Sequence, residues 1–185
     1  MNKTITSHEA ILTAGKEIVL EIGLQGLNIR DVARRCGVSV GSIYNYFPTK
    51  SDLIVATIES IWKEIMRDYD ISETHLSFVQ SIEGLFTSVL KGSEKYAYFF
   101  SAHSVSVAAL DKSKGRESMD NYFAQIKQGL LASLNADGRV RENAFSRDFT
   151  KERFVDFVFG NLISLLMNRE RSCDFLMEAI SRMIY

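Results

Sequence analysis

The sequence predicts an all-α protein: a three-helix N-terminal domain, residues 1–50, followed by a larger helical domain, residues 51–185. Three observations carry that expectation. Apolar residues recur three and four apart through nearly the whole chain, the spacing of one face of an α-helix. Long alternating runs of β-branched residues are absent, so no strand pattern competes with the helical one. The single proline, Pro48, and most of the eleven glycines fall between the periodic stretches.

Ser7 is placed to cap a first helix that runs to about Gly23, with Ala10, Ala14, Ile18 and Val19 as its inner stripe. Asn28 caps a second, with Asp31 three residues on in a box-like arrangement, and Cys36-Gly37 ends it. The third helix is short, from Ser39 as cap to Phe47, and Pro48 closes it. Thr49 or Ser51 caps a fourth that continues to about Asp68. Further helices are expected near 73–91, 94–110, 115–135, 150–169 and 172–184. The polar, glycine-containing stretch Asn135–Asp148 is the clearest loop.

Composition narrows the class of protein. With 46% apolar and 24% charged residues the chain is an ordinary globular one. No apolar run approaches the roughly 20 residues of a membrane-spanning helix. Met1–Ala10 lacks the basic start and apolar stretch of a signal peptide, so the expected setting is cytoplasmic, away from membranes. Cys36 and Cys173 lie far apart without ligand-like neighbours, which predicts reduced thiols and no metal site. His8, His75 and His103 are scattered. No Ser/His/Asp or Cys/His order, phosphate-binding glycine loop or H-E-x-x-H motif is present, so neither catalysis nor a cofactor is expected.

The net charge is only -1, so basic character useful toward a polyanion has to be local. It is concentrated in Asn28–Lys50, where Arg30, Arg34, Arg35 and Lys50 face Asp31 alone. In the same segment Ala33 stands where two helices would cross, and a larger side chain would force them apart. Gly37 is placed for a tight turn that favours positive φ. Ile29, Val32, Val38, Ile43 and Phe47 supply the apolar contacts that fix the interhelical angle. That leaves Val40, Gly41, Ser42, Tyr44, Asn45 and Tyr46 exposed on the third helix, small or hydrogen-bonding residues able to enter a DNA major groove.

The run Gly23-Leu24-Gln25-Gly26-Leu27-Asn28-Ile29-Arg30-Asp31-Val32-Ala33, followed by Cys36-Gly37-Val38-Ser39-Val40-Gly41-Ser42-Ile43-Tyr44-Asn45-Tyr46-Phe47-Pro48-Thr49-Lys50, resembles the TetR family of transcription regulators. The resemblance covers about residues 8–58. It implies a homodimer that binds a palindromic double-stranded operator and is released by a small molecule held in the C-terminal domain. It further implies that Tyr44, Tyr46 and Lys50 contact phosphates and that Arg30 reaches a guanine edge or a phosphate. Val40, Gly41, Ser42 and Asn45 then read bases, Val40 against a thymine methyl and Asn45 against adenine. The sequence departs from the family's commonest pattern at Val19, where an aromatic is usual, and at Val40, where a longer polar or basic residue is frequent. The third helix therefore carries no Lys or Arg.

In the C-terminal domain, large rings packed with a few polar groups are how an apolar effector cavity is built in a helical domain. The candidates are Trp62, Phe86, Phe99 and Phe123, with Tyr96, His103 and Asn161 as polar members, and the expected effector is apolar or amphipathic. The stretch Thr150–Asn168 is apolar nearly all round, which predicts burial on more than one side. Val155, Val158, Leu162 and Leu165, with Gly160 as a close-approach point, and Leu176, Ile180 and Met183 of the last helix, are expected to form a four-helix dimer interface with their two-fold mates.

Overall fold

The computed structural model describes residues 6–67, 69, 76–99 and 114–185. Among them are eight α-helices and no strand: α1 His8–Ile22, α2 Ile29–Arg35, α3 Val40–Tyr44, α4 Lys50–Ile65, α5 Phe78–Lys95, α6 Lys114–Ala136, α7 Lys151–Met167 and α8 Asp174–Ile184, with a 3₁₀ turn at Leu24–Gly26. The described residues fall into two compact units. One comprises those of Met1–Glu64 and Ser93–Asp120, the other those of Ile65–Gly92 and Asn121–Tyr185.

The helices begin where side chains satisfy their first free N–H groups. Ser7 Oγ accepts from the Ala10 amide at 3.1 Å, Asn28 Oδ1 from Asp31 at 3.0 Å and Ser39 Oγ from Ser42 at 3.2 Å. Thr49, not Ser51, caps α4, in a reciprocal box: its amide donates to Asp52 Oδ2 at 3.0 Å and its hydroxyl accepts from the Asp52 amide at 3.1 Å. Ser77 and Gln80 make the same exchange at the start of α5.

Three expectations are revised. Ala10 is exposed, and Ile11 takes its place in the buried stripe of α1 with Ala14, Ile18 and Val19. The third helix closes at Tyr44, with Asn45 and Tyr46 continuing as a turn. A break near residue 92 does not occur: α5 runs unbroken through Gly92, where a Cβ would lie 2.5 Å from Ile65 Cγ1. Glycine is needed there for close approach, not as a stop. Residues 96–99 form a turn, and the remainder of the helix expected to residue 110 lies outside the described residues.

The first unit is built on α1 and α4. A Cβ at Gly15 would sit 2.8 Å from Thr57 Oγ1, so the two helices meet closely at that pair. Thr57 is fully buried and donates its hydroxyl to the Leu53 carbonyl at 2.7 Å, which removes the cost of burying it. In the second unit Phe78, Ile82 and Leu85 of α5, Leu130 and Leu134 of α6, Phe154 and Val158 of α7, and Ile180 and Ile184 of α8 are buried. Ser81 and Ser133 satisfy one another inside it at 2.8 Å.

Candidate nucleic-acid interface

α2 and α3 form a helix-turn-helix whose angle is fixed by the turn between them. Gly37 adopts φ +65°, and the turn closes with two hydrogen bonds, Val38 N–H to Ala33 O at 3.0 Å and Gly37 N–H to Arg34 O at 3.2 Å. Ile29, Val32, Ala33, Ile43 and Phe47 are buried and Val38 is half-buried, so the expected apolar contacts hold this unit together. The opposite face presents Val40, Gly41, Tyr44, Asn45 and Tyr46 to solvent, with Ser42 half-buried.

The four basic residues of the segment are not equivalent. Arg34 pairs with Asp31 at 2.7 Å, and Arg35 is clamped to Glu21 and Glu17 of α1. The Glu21 hydrogen bond holds the Arg35 guanidinium above its ordinary range and the Glu21 carboxyl below its own. Arg30 and Lys50 are exposed and make no ion pair among the described residues. The net charge available to a polyanion therefore comes from Arg30 and Lys50.

The two tyrosines also differ. The Tyr44 side chain is exposed and its hydroxyl has no partner among the described residues. The Tyr46 hydroxyl donates to the Thr6 carbonyl at 2.7 Å, just ahead of the α1 cap, and the His8 ring lies on Phe47 at 4.7 Å between centroids. Together these contacts pin the start of α1 against the end of the α3 segment, a link that sequence spacing did not signal.

The residues expected to line an effector cavity are divided between the two units. In the first, the Trp62 ring meets Phe99 edge to face at 6.0 Å, and Tyr96 is buried with its hydroxyl donating to Glu64 Oε1 at 3.1 Å. Glu64 also accepts from Lys16 of α1 at 2.6 Å and from Lys95. Burial raises the Glu64 carboxyl, but these donors outweigh it and hold the group at about 2, while burial and the Glu64 charge push Tyr96 upward. In the second unit Phe86 is buried and Phe123 packs on Phe159 at 5.3 Å. Asn161 is exposed, its amide donating to the Phe157 carbonyl at 2.8 Å, so it is turned onto its own helix and not into an interior. His103 lies outside the described residues. A cleft of about 490 Å³ beside α1, bordered by Thr13, Glu17, Arg35 and Cys36, contains none of these candidates.

The stripe expected to meet a second copy is largely used by the chain itself. Val155, Val158, Leu162, Leu176 and Ile180 are buried within it, Leu165 and Met183 are half-buried, and Gly160 is exposed. A helix apolar on several faces does not reveal from its sequence which face turns inward. The large apolar side chains left outside on α7 and α8 are Phe157, Met167 and Phe175.

A tight turn that sets two short helices at an angle over a buried apolar contact, with small and hydrogen-bonding groups on the outer face and free basic groups flanking it, defines a helix-turn-helix DNA-binding protein. The chain belongs to the TetR family, whose members are ligand-responsive DNA-binding transcriptional regulators. Residues 11–57 match the family model described as bacterial regulatory proteins, tetR family. The HTH-type transcriptional regulator BetI of Escherichia coli is 31% identical over 151 residues, spanning 81% of this chain and 73% of BetI. The regulator CymR of Pseudomonas putida is 26% identical over 168 residues, 90% of this chain and 70% of CymR. Among solved structures, a TetR transcriptional regulator from Legionella pneumophila superposes with a TM-score of 0.64 at 22% identity, covering 100% of both chains. A family member from Streptomyces coelicolor A3 reaches 0.68 at 19% identity, covering 96% of this chain and 97% of its own. No helix among the described residues is long and apolar enough to cross a membrane.

Proposed function

We propose that the chain is a cytoplasmic, homodimeric repressor that occupies a palindromic operator and leaves it when a small apolar or amphipathic effector binds the helical domain of residues 51–185. The observation that carries the DNA reading is the face around α3. Tyr44 and Lys50 are the phosphate anchors, Arg30 reaches a phosphate or base edge from α2, and Val40, Gly41 and Asn45 meet the bases. Two such faces, about 34–36 Å apart on a dimer, read successive major grooves. The exposed side chains of α7 and α8, with Gly160 as the crossing point, meet the second copy. Trp62, Tyr96 and Phe99, which lie in one unit, supply groups that receive the effector. Release is limited by the difference in the effector's affinity for the two conformations.

The test is fluorescence anisotropy of the purified protein with labelled duplex from upstream of its own gene, titrated across salt beside a Tyr44→Phe/Lys50→Ala double variant. Expected are saturable binding that weakens with salt and a variant weakened evenly across sequences. Absence of binding to any duplex at low salt would refute the assignment.

A further inference from the structure

Within the first unit, α1 meets α4 at two places. At the first, Gly15 lies so close that a Cβ on it would sit 2.8 Å from Thr57 Oγ1. At the second, Lys16 Nζ donates to Glu64 Oε2 at 2.6 Å, about two turns further along the same face of α4. One point of contact lets a helix swivel on its neighbour. A second, roughly 10 Å away along the axis, fixes the crossing angle.

The helix-turn-helix follows α1. Arg35, at the end of α2, is clamped to Glu17 and Glu21 of α1. The Tyr46 hydroxyl is bonded to the Thr6 carbonyl, and the His8 ring lies on Phe47. The angle between α1 and α4 therefore also sets how α3 is presented.

Glu64 is itself held from the other side. Its side chain is only 18% exposed, and a carboxylate so placed needs donors. Two of them come from Lys95, the last residue of α5, and from the Tyr96 hydroxyl at 3.1 Å. Lys95 Nζ also stands 5.4 Å from the centre of the Tyr96 ring, which couples these two donors. Burial opposes the charge, but the donors hold the carboxyl at about 2, so it is ionised throughout the neutral range.

We infer that Glu64 is a positioning residue for DNA binding: through Lys16 it fixes the angle of α1, and with it the helix-turn-helix, while Lys95 and Tyr96 fix Glu64 from the end of α5. None of the four is required to contact the duplex. The inference rests on the reading of the chain as a DNA-binding regulator.

The full-length protein and its variants are titrated by anisotropy with the tightest duplex recovered from a library randomised over about 20 base pairs, enough for two half-sites. Lys16→Met and Glu64→Gln are each expected to bind about ten-fold more weakly, and the double variant no more weakly than either. Lys16→Arg, which keeps the charge, is expected to bind like the wild type. Lys95 is 55% exposed, so Lys95→Met keeps the fold. It is expected to weaken binding about three-fold, and to add nothing when Glu64→Gln is already present. The slope of log affinity against log salt is expected to be unchanged in every variant, because no phosphate contact is lost. A slope reduced by about one in Lys16→Met would make Lys16 a phosphate contact and overturn the positioning role. Wild-type affinity in Lys16→Met, Glu64→Gln or Lys95→Met would also overturn it. So would losses that multiply in the double variant, or a Lys16→Arg that binds no better than Lys16→Met. All of these leave DNA binding standing. A wild-type protein that binds no duplex at low salt overturns the DNA-binding reading and this inference with it.

Discussion

Two tyrosines two residues apart illustrate how much of this interface is decided by single hydrogen bonds. A phosphodiester oxygen only accepts, and a phenol has one proton to give. Tyr44 retains that proton, whereas Tyr46 donates its own to the Thr6 carbonyl. Tyr46 is therefore a positioning residue that ties the segment ahead of α1 to the end of the α3 segment. Tyr44→Phe is expected to lose about 1 kcal/mol of duplex affinity with unchanged amide exchange in α1. Tyr46→Phe is expected to raise exchange at Ala10 and Ile11, whose amides bond to Ser7, and hydrogen-exchange mass spectrometry separates the two. Equal exchange in both variants would return Tyr46 to the phosphate contacts. The sequence alone made the two residues look equivalent, because nothing local links Tyr46 to a carbonyl forty positions away.

At the scale of elements, caps and termini account for most of what was legible beforehand. Ser7, Asn28, Ser39 and Thr49 act on amides three residues on, within reach of their own side chains, so sequence spacing is sufficient to find them. The end of α7 obeys the same local rules with an unfavourable residue. Arg169 takes φ 59° in a closing turn whose bonds run from Glu170 N–H to Leu165 O at 3.0 Å and from Arg169 N–H to Leu166 O at 3.1 Å. Glycine is the usual occupant of that position. Arg169→Gly is expected to stabilise the protein by about 1 kcal/mol, raising its melting temperature by a few degrees. Asp137 is a different case, a buried carboxylate after α6 that joins elements distant in sequence. It accepts from the Phe78 amide at 2.8 Å, from Arg139 Nε at 2.7 Å and from the Tyr185 hydroxyl at 2.5 Å. Burial raises this carboxyl, and the hydrogen bonds from Tyr185, Arg139 and Phe78 more than offset it, bringing it to about 2. A depressed carboxyl stabilises above its unfolded pKa and loses that contribution as pH falls toward the folded value. Melting temperature is therefore expected to decline from about pH 5 to pH 2, and Asp137→Asn to be less stable at pH 7 with a shallower decline. An unaltered acid profile in thermal melts would remove Asp137 from this role.

Over the whole molecule, the question is which apolar surface remains after each unit has formed its core. Val155, Val158 and Leu162 are buried in the single chain, while Phe157, Met167 and Phe175 are not, and Phe175 is 88% exposed. A large ring so placed is suited to anchor a second copy, because buried aromatic residues carry much of the energy of subunit contacts. Phe175→Glu is expected to shift the protein toward monomer in sedimentation velocity and to weaken operator binding, while leaving helix content unchanged. An undiminished dimer would move the interface off α8. Glu64 is the corresponding internal feature of the first unit: one carboxylate holds Lys16 of α1, Lys95 and Tyr96, so the end of α4 is tied to segments on both sides of it in sequence.

Local chemistry, readable along the chain, accounts for the helical class, the caps, the left-handed turn at Gly37 and the order of residues on the DNA-facing segment. These depend on side chains acting within a few positions of their own backbone, and period and composition record them faithfully. Packing between distant elements settles which of the exposed-looking groups are already engaged, as with Tyr46 on the Thr6 carbonyl and Arg35 on Glu21. It also settles which face of α7 turns inward, and that Gly15 and Gly92 serve close packing. Those outcomes depend on where distant elements come to rest. A helix apolar on several faces, or a hydroxyl with several possible acceptors, is degenerate until packing chooses among them.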